Sequence, residues 1–377
     1  MGTKSFTSIN KDTKDLPIFI EEWEAKAKEK MDKGSFDYIR SGAGDEETLQ
    51  ANRSVFQKWT ILPRVLRNVS LSSANTILYG NELSFPLLLS PVGYQGLADK
   101  EGEKAAARAA AKAGVPYIAS TVSTYSLEDI AAAAPEGNNW FQLYWSRNKE
   151  VSASMVKRAE KAGFRAIVVT VDTGLLGWRK SDYKNGFVPL MECLGDANYR
   201  NDPAFQKSVP NWNDANIVAG IMDNILHPDL NWEDVLFLRE HTTLPIILKG
   251  ILHPKDAKKA VDLGFDGIVV SNHGGRQLDG AISSLDALQL ISPVVNKQIP
   301  LIMDGGIRSG ADMYKAIALG ADAVAIGRPF IYGLAVSGEV GVLSIINNLK
   351  KEFELTLALS GEVSVKDITA DNLFRQN

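Results

Sequence analysis

One unit recurs along this chain: an alanine-rich helical stretch ends in glycine, and a β-branched strand follows within a few residues. It occurs as AAKAG-VPYIAS, AEKAG-FRAIVVTV, AVDLG-FDGIVVS and AIALG-ADAVAIG, with the glycines at Gly114, Gly163, Gly264 and Gly320. Glycine just past a helix adopts the left-handed conformation that ends the helix at low cost. The apolar runs that follow do not alternate with polar residues, which is typical of strands buried on both faces.

Further apolar runs lack the glycine and predict strands of the same kind: FPLLLS (85–90), WFQLY (140–144), LPIILK (244–249) and IPLIMD (299–304). Together with the repeated unit they make eight strands separated by helical segments. Strand–helix alternation implies parallel pairing, and eight such units is the count that closes an α/β TIM (β/α)8 barrel. A doubly wound open sheet is the alternative fold.

Three parts of the chain stand outside this repeat. Residues 1–84 are predicted to form a helical preamble, residues 180–229 a lid insertion after the fourth strand, and residues 341–377 a C-terminal helix and tail. The insertion is too long for an ordinary connection, which favours the lid interpretation. No linker separates these parts from the barrel region 85–340, so residues 1–377 are predicted to form a single domain.

Composition limits the function classes. The chain has 41 Lys and Arg against 45 Asp and Glu, a balance that gives no basic footprint for nucleic acid or an anionic membrane. A single cysteine, Cys193, cannot form an internal disulfide, which is typical of a reducing compartment. The start is polar rather than signal-like, and no apolar run approaches the roughly 18 residues of a membrane span. We therefore expect a cytoplasmic protein.

Polar side chains gather where the predicted strands end. In chain order they are Ser90, Ser120, Gln142 and Tyr144, Thr170 and Asp172, Lys249, Ser271 and His273, Asp304, and Gly327 with Arg328. In an α/β barrel these ends meet on the face where active sites are built. Any strand reaching solvent carries serine or aspartate, but glutamine, tyrosine, lysine, histidine and arginine together favour a functional site.

The last two strand ends are glycine-rich and lead into helices, as MDGGIRSGAD (303–312) and AIGRPF (325–330). Small residues let backbone N–H groups approach an anion at the start of a helix. Phosphate sites in barrels typically follow strands seven and eight. Arg308 and Arg328 would add bidentate donors. A phosphate-bearing ligand is therefore predicted.

One of the four histidines stands apart from the others. His227 and His253 precede proline and His241 follows a helix, so these three are predicted at the surface or in turns. His273 follows a buried strand in VVSNHGGRQLDG, and two glycines separate it from Arg276. Histidine is the natural base near neutral pH, and arginine is the planar partner of a carboxylate. This pair suits proton removal from a ligand held by its carboxylate.

Lys249, at the end of IILKG, leaves two functions open. It would act as a Schiff-base nucleophile, as in barrel aldolases, or as a fixed cation facing a ligand that becomes negative. Ser120, Gln142 and Thr170 would offer neutral hydrogen bonds to a heteroaromatic ring. The chain contains no HExxH, CxxC or Gly-x-Ser-x-Gly sequence and no Gly-Lys dipeptide, so no metal site, thiol redox centre, serine esterase or P-loop is predicted.

The segment SNHGGRQLDG (271–280) resembles the signature of the FMN-dependent 2-hydroxy-acid oxidases and dehydrogenases, which include glycolate oxidase, lactate oxidase and lactate 2-monooxygenase. The segments FDYIRSGAGDEETL, FQLY, TVDT, ILKG, DGGIRSG and IGRP extend the resemblance over residues 36–361. Within the family, LGWRKSD, NDPAFQK, Val122 and Gly93 most resemble lactate 2-monooxygenase. Gly93 replaces an alanine common in oxidases, which is expected to leave more room over the flavin.

The resemblance implies oxidation of an L-2-hydroxy acid, most simply L-lactate, with bound FMN and with O2 as electron acceptor. It implies that Tyr38, Arg179 and Arg276 hold the substrate carboxylate. His273 would be the base, and Asp172 would orient it or balance its charge. Retention of the keto acid under the lid would give a monooxygenase, and its release an oxidase.

The remaining implied roles concern the substrate oxygen and the cofactor. Tyr144 would hydrogen-bond the substrate oxygen, and Lys249 would stabilise the reduced flavin, which favours the fixed-cation interpretation. The implied cofactor-binding residues are Pro91, Val92, Gly93, Ser120, Gln142, Thr170, Lys249, Ser271, Asp304, Gly306, Arg308, Gly327 and Arg328. A homo-tetramer is the family expectation. The alternatives are a Schiff-base lyase acting through Lys249 and a non-enzymatic flavin- or phosphate-binding barrel.

Overall fold

A computed structural model describes residues 15–192 and 194–376, so the disulfide argument about Cys193 lies outside the described residues. Eight parallel strands close into a barrel. They are β1 (Leu87–Leu89), β2 (Tyr117–Ser120), β3 (Asn139–Tyr144), β4 (Ile167–Thr170), β5 (Ile246–Ile251), β6 (Gly267–Val270), β7 (Leu301–Asp304) and β8 (Ala323–Ile326). β8 pairs with β1 through Val324 and Leu87, which closes the ring and excludes the open-sheet alternative.

The strands are buried on both faces. One set of side chains, which includes Leu88, Ile118, Trp140, Val168, Ile247, Val269, Ile302 and Ala325, forms a cluster with a contribution from every strand. The alternate set, which includes Leu87, Phe141 and Ile246, belongs to a second and larger core shared with the helices. Both faces are therefore apolar, which explains why hydrophobicity does not alternate along these strands.

Helices follow the strands around the barrel. They are Gly102–Ala113, Leu127–Ala133, Lys149–Lys161, Pro254–Asp262, Ser284–Val295, Gly310–Ala318 and Arg328–Leu359, with a short 3-10 turn at Gln95–Leu97. The glycines predicted to end helices, Gly114, Gly163, Gly264 and Gly320, have φ of 67°, 89°, 75° and 114°. The left-handed termination expected from the repeat is confirmed.

The last helical region, Arg328–Leu359, corrects one expectation. By length and composition alone it could cross a membrane, contrary to the expectation that no run reaches that length. The helix predicted from residue 341 corresponds to its second part. In the apolar window of this helix, 61% of the residues are buried within the protein. The backbone leaves the helical conformation at Ser337 and Gly338, so two helices meet at a kink. Packing inside the fold accounts for its apolar surface.

The preamble is less purely helical than predicted. Helices Ile20–Lys30, Lys33–Arg40 and Glu47–Ser54 are followed by a 3-10 turn, Val55–Lys58, and by the strands Trp59–Ile61, Thr76–Leu78 and Asn81–Leu83. Trp59–Ile61 pairs antiparallel with Leu373–Arg375 after the tail turns Val365–Asp367 and Ala370–Asn372. The C-terminal tail is thereby joined to the preamble.

The insertion between β4 and β5 is mostly helical. Its elements are Lys180–Asn185, Pro189–Glu192, Ala197–Arg200, Pro203–Ser208, Asp214–Ile225, Trp232–Leu236 and Phe237–Glu240. Phe205, Ile217 and Ile221 are fully buried and anchor it to the barrel, whereas Trp178 and Met191 are exposed. Its movement as a lid stays a prediction.

Candidate active site

A cavity of about 460 Å³ lies at the carboxyl ends of the strands. Most of the predicted site residues line it: Tyr38, Pro91, Val92, Gly93, Tyr144, Arg179, Lys249, His273, Arg276, Asp304, Gly306, Arg308, Gly327 and Arg328. Five others do not line it directly: Ser120, Gln142, Thr170, Asp172 and Ser271. These five are largely buried, and four of them, all but Thr170, hydrogen-bond to one another or to lining residues.

An imidazole–carboxylate pair occupies one end of this cavity. His273 Nδ1 lies 2.9 Å from Asp172 Oδ1, which also accepts a 2.9 Å hydrogen bond from Thr173 Oγ1. His273 Nε2 lies 3.5 Å from the Tyr144 hydroxyl. Because Asp172 fixes the Nδ1 side of the ring, Nε2 is the atom free to accept a proton.

Burial sets the protonation states of this pair. It lowers the pKa of His273, the charge of Lys249 lowers it further, and the Asp172 carboxylate acts in the opposite direction. Burial raises the pKa of Asp172, but His273, Lys249 and the hydrogen bond from Thr173 together lower it to about 2. A neutral imidazole beside an ionised carboxylate is the form a general base requires at neutral pH.

The loop that carries His273 has an unusual backbone. His273, Gly274 and Gly275 have φ of 59°, 64° and 74°, three left-handed residues in a row. A Cβ at Gly275 would lie 2.6 Å from the backbone nitrogen of Leu49, so only glycine fits there. The Ser271 hydroxyl accepts a 3.0 Å hydrogen bond from the His273 N–H and helps hold this conformation. A non-glycine residue in this region costs energy and is typical of functional sites.

Two guanidinium groups lie beside His273 without carboxylate partners in the described part of the chain. Arg276 donates from Nη1 to the carbonyls of Tyr38 (2.5 Å) and Ser41 (2.8 Å), and its charge lies 4.8 Å from the centre of the Tyr38 ring. Arg179 donates from Nε to the Arg276 carbonyl at 3.2 Å. Burial, reinforced by Arg179, lowers the pKa of Arg276 to about 10. Asp182 also lines the cavity and interacts electrostatically with both groups, but it forms no ion pair with either. Buried guanidinium groups without an ion-paired carboxylate are suited to bind a carboxylate ligand.

Lys249 points into the site because β5 is irregular at its end. The register shifts between Lys249 and Ile251, and Gly250 has φ 111°. A Cβ at Gly250 would lie 2.6 Å from that of Asp172, so glycine lets the two segments approach. Lys249 Nζ donates to Ser271 Oγ at 3.2 Å and lies 3.7 Å from Asp304 Oδ2. The ion pair with Asp304 fits the interpretation of Lys249 as a fixed cation.

In the described part of the chain, polar atoms without hydrogen-bond partners occur in Ser90 and Asp304, which line the cavity, and in Gln142, which is buried outside its lining. Ser120 Oγ donates to Gln142 Oε1 at 3.0 Å, and this hydrogen bond does not involve Gln142 Nε2. Among the described residues, Gln142 Nε2, Ser90 Oγ and Asp304 Oδ1 are buried without a hydrogen-bond partner. Such groups are costly unless a ligand completes them. These three unpartnered groups could hydrogen-bond to a heteroaromatic ring and to a hydroxylated chain. The isoalloxazine ring and the ribityl chain are the two polar parts of FMN besides its phosphate.

The other end of the cavity follows β7 and β8. Arg308 Nη1 donates to the Ile307 carbonyl at 2.8 Å, and burial lowers the pKa of Arg308. Gly306 has φ 85°, and a Cβ there would collide with the Asn52 carbonyl. Gly327 precedes the helix that starts at Arg328. A buried guanidinium, glycine backbone and a helix start together suit a phosphate.

Arg328 differs from Arg308 in how it is held. Its nitrogens donate to the carbonyls of Ile39, Arg40, Ser41 and Gly274 at 3.0–3.1 Å. Burial and the neighbouring Arg276 lower its pKa to about 9. Arg328 therefore ties the preamble and the His273 loop to the phosphate end, and Arg308 keeps more free donors.

A TIM barrel whose rim unites a base, a carboxylate clamp and a phosphate cradle defines an oxidoreductase that binds a phosphorylated cofactor and an acidic substrate. The chain belongs to the FMN-dependent dehydrogenase family, whose model matches residues 27–375. It is accordingly an FMN-dependent oxidoreductase of the 2-hydroxy-acid oxidase class.

Individual relatives agree over nearly the whole chain. An L-lactate oxidase of Lysinibacillus sphaericus (strain C3-41) is 53% identical, covering 96% of this chain and 94% of its own. Human 2-hydroxyacid oxidase 1 is 42% identical, with 96% and 97% covered. A crystal structure of mandelate oxidase superposes with a TM-score of 0.86 at 40% identity, covering 96% and 98%. These relatives are oxidases, and they give the Schiff-base lyase alternative no support.

Gln277 is a site residue that the sequence analysis missed. Its Nε2 donates to the carbonyls of Asp172 (2.7 Å) and Leu175 (2.9 Å). Its Oε1 accepts from the Gly177 N–H (3.1 Å) and from Arg179 Nη2 (3.3 Å). One side-chain amide thus fixes the segment carrying Asp172 and Arg179. It stands directly after Arg276 in the signature segment, which was the available signal.

The expectation of extra room at Gly93 needs correction. A Cβ at Gly93 would lie 2.4 Å from Val122 Cγ2 and 3.0 Å from the Val122 carbonyl. The space that an alanine methyl would fill is already taken by Val122. Gly93 and Val122 therefore form one packed unit, and substrate room must be sought elsewhere along the cavity wall.

Proposed function

We propose that this chain oxidises a small L-2-hydroxy acid, with L-lactate the first choice, to the 2-keto acid, using O2 as the electron acceptor. The observation that carries the proposal is the orientation of His273. Its Nδ1 is fixed by Asp172, and its Nε2 faces the cavity that Arg276 and Arg179 also line. The name of the Lysinibacillus relative supports lactate as the first substrate to test.

The residues divide the work between holding and proton transfer. Arg276 and Arg179 bind the substrate carboxylate, and Tyr38 supports Arg276 through its ring and carbonyl. The substrate hydroxyl then lies near His273 Nε2, which takes its proton. Asp172 holds the imidazole orientation and stabilises the imidazolium that forms.

FMN would be held by Arg308, Gly306 and Gly327 at its phosphate and by Gln142, Ser90 and Asp304 along its ring and chain. When bound, it supplies the two-electron acceptor and the reaction with O2. Lys249 places a fixed positive charge on the same wall of the cavity, held by Ser271 and Asp304. Oxidation of the alcohol to the ketone removes two electrons and two protons, of which His273 accepts the hydroxyl proton.

Anaerobic titration of the purified, FMN-loaded protein with a panel of L- and D-2-hydroxy acids tests the proposal. Bleaching of the yellow absorbance by L-lactate or another short L-acid is expected, because the clamp and the base act on one enantiomer. A preparation that cannot take up FMN, or that no 2-hydroxy acid reduces, would overturn it.

The fate of the keto acid is a separate part of the proposal. With catalase present, an oxidase converts lactate to pyruvate, whereas the predicted monooxygenase outcome yields acetate and CO2. Product analysis after oxygen consumption separates the two: accumulated pyruvate rejects the monooxygenase outcome. The slower the insertion releases the keto acid, the more the monooxygenase outcome is favoured.

The single-domain organisation over 1–377, a homo-tetramer and a cytoplasmic location also belong to this proposal. Surface side chains such as Leu66 and Leu71 are almost fully exposed, which suits burial between subunits. Light scattering after size-exclusion chromatography tests the assembly, and a single calorimetric transition tests the domain organisation.

A further inference from the structure

Tyr94 lines the cavity, but the resemblance assigns it no role. It follows Pro91–Gly93 in the loop after β1 and has a left-handed backbone, with φ 57°. Its N–H donates to the Val122 carbonyl at 2.9 Å, which ties the loop after β1 to the loop after β2. A large residue kept in this conformation is held by its surroundings.

The Tyr94 ring is confined on two sides. Its centre lies 5.8 Å from that of Tyr38 at an interplanar angle of 82°, an edge-to-face contact with the residue that supports Arg276. On another side lies Gly195 of the insertion, where a Cβ would come within 2.2 Å of Tyr94 Cε1. Movement of the ring toward Gly195 is therefore blocked unless the insertion backbone moves.

Tyr94 also lies near the proposed substrate-binding groups. Burial, together with Tyr38 and Tyr144, raises the pKa of its phenol, and Arg179 acts in the opposite direction. The phenol therefore stays neutral and adds no charge to the carboxylate clamp. The Tyr94 ring instead occupies space at this end of the cavity.

The other lining side chains of the insertion differ in burial, and Leu190 is 2% exposed. Leu176 and Met222 of the insertion also line the cavity, and their side chains are 54% and 38% exposed. Partly exposed side chains adjust to a ligand at low cost, whereas an enclosed ring does not. Tyr94 is thus a fixed boundary, next to the carboxylate clamp, against which a substrate side chain must fit.

We propose that Tyr94 determines substrate size: its ring closes the cavity beside the carboxylate clamp, so that 2-hydroxy acids with a methyl or short alkyl side chain fit and 2-aryl acids are excluded. This inference rests on the proposed function. Aryl acids are the informative test ligands, because structures of the similar mandelate oxidase hold aryl ligands such as (S)-4-hydroxymandelic acid.

The test compares Tyr94→Ala, Tyr94→Leu and Tyr94→Phe in the FMN-loaded protein. For L-lactate, L-2-hydroxybutyrate and L-mandelate, kcat/KM is measured, and the dissociation constants of pyruvate and benzoylformate are measured by perturbation of the flavin absorbance. In Tyr94→Ala we expect the mandelate-to-lactate ratio of kcat/KM to rise at least about tenfold. Benzoylformate should bind about tenfold more tightly than to the unchanged protein.

The other two variants separate size from folding and from the hydroxyl. Tyr94→Phe keeps the ring and should leave the mandelate-to-lactate ratio within about twofold. Tyr94→Leu keeps apolar volume and guards against poor folding of the alanine variant, and it should give an intermediate ratio. An unchanged ratio in a Tyr94→Ala protein that still binds FMN would overturn the proposal, as would a preference of the unchanged protein for mandelate.

Failure of the proposed function gives a different result. If no 2-hydroxy acid reduces the FMN-loaded protein, the oxidation proposal is wrong. The binding measurements still test Tyr94 in that case: tighter benzoylformate binding to Tyr94→Ala upholds the size boundary, and unchanged binding rejects it.

Discussion

The two ends of the cavity are built in different ways. The phosphate end takes Gly306, Arg308 and Gly327 from two short segments that directly follow β7 and β8. The substrate end takes groups from segments far apart in the chain, such as Tyr38, Arg179 and His273, and holds them by contacts between loops. We infer that the phosphate-binding segments are set largely by local sequence, whereas the substrate end depends on tertiary contacts. Changes to side chains that serve one end alone, unlike Arg328, should therefore leave the other end largely intact.

Replacement of His273 is expected to have the largest effect. His273→Gln removes the proton acceptor but leaves the phosphate end untouched. We expect kcat to fall by about 10²–10⁴-fold with little change in FMN affinity. Stopped-flow reduction with L-lactate and FMN titration measure the two quantities, and exposed His253→Gln is the control. Unchanged turnover would show that His273 is not the base, and the absence of turnover in both proteins would favour the non-enzymatic barrel.

Replacement of Arg308 should produce the opposite pattern. Arg308→Met removes a buried charge-assisted donor, so the dissociation constant of FMN should rise by about 10–100-fold. With FMN supplied in excess, turnover should stay close to that of the unchanged protein. Fluorescence titration of the apoprotein measures the affinity, with exposed Arg165→Met as the matched control. Equal affinity in both variants would place the phosphate elsewhere.

The same contrast explains what the sequence could predict. The barrel followed from apolar runs and helix-ending glycines such as Gly114, because both are local patterns. Arg308 and Gly306 were accessible for the same reason. The left-handed backbone of Tyr94, the packing of Val122 against Gly93 and the four hydrogen bonds of Gln277 arise from contacts between distant segments. No pattern within one segment encodes them.

Variants of Gln277 test whether this side chain positions the groups that bind the substrate. Gln277→Leu leaves the Asp172 and Leu175 carbonyls without their donor and frees Arg179, so KM for the hydroxy acid should rise about tenfold. Gln277→Glu keeps the acceptor for Arg179 but neutralises its charge, so KM should again rise.

Three readouts separate positioning from general damage in the Gln277 variants. FMN affinity should match that of the unchanged protein, and the melting temperature should fall by only a few degrees, as the loss of the two hydrogen bonds implies. The pH profile of kcat/KM should shift in Gln277→Glu because a new carboxylate lies near the His273–Asp172 pair. A fall in FMN affinity equal to the rise in KM would show instead that the whole rim is disturbed.

The smallest effect concerns the acid limb of the pH profile, which reports on His273 in the free enzyme. Burial lowers its pKa below the ordinary 6.5, and its neutral form is the base. Activity should therefore persist at pH values where an ordinary histidine is half protonated, and kcat/KM should fall only as pH drops through the lowered pKa of His273.

In Asp172→Asn the carboxylate that raises the pKa of His273 is lost. The acid limb should then move to still lower pH, even though kcat also decreases. A limb at or above 6.5 in the unchanged protein, or one that moves upward in Asp172→Asn, would show that desolvation does not control the base. FMN affinity measured across the same range should not follow this limb, because the proposed phosphate-binding groups, Gly306, Arg308 and Gly327, do not include the imidazole.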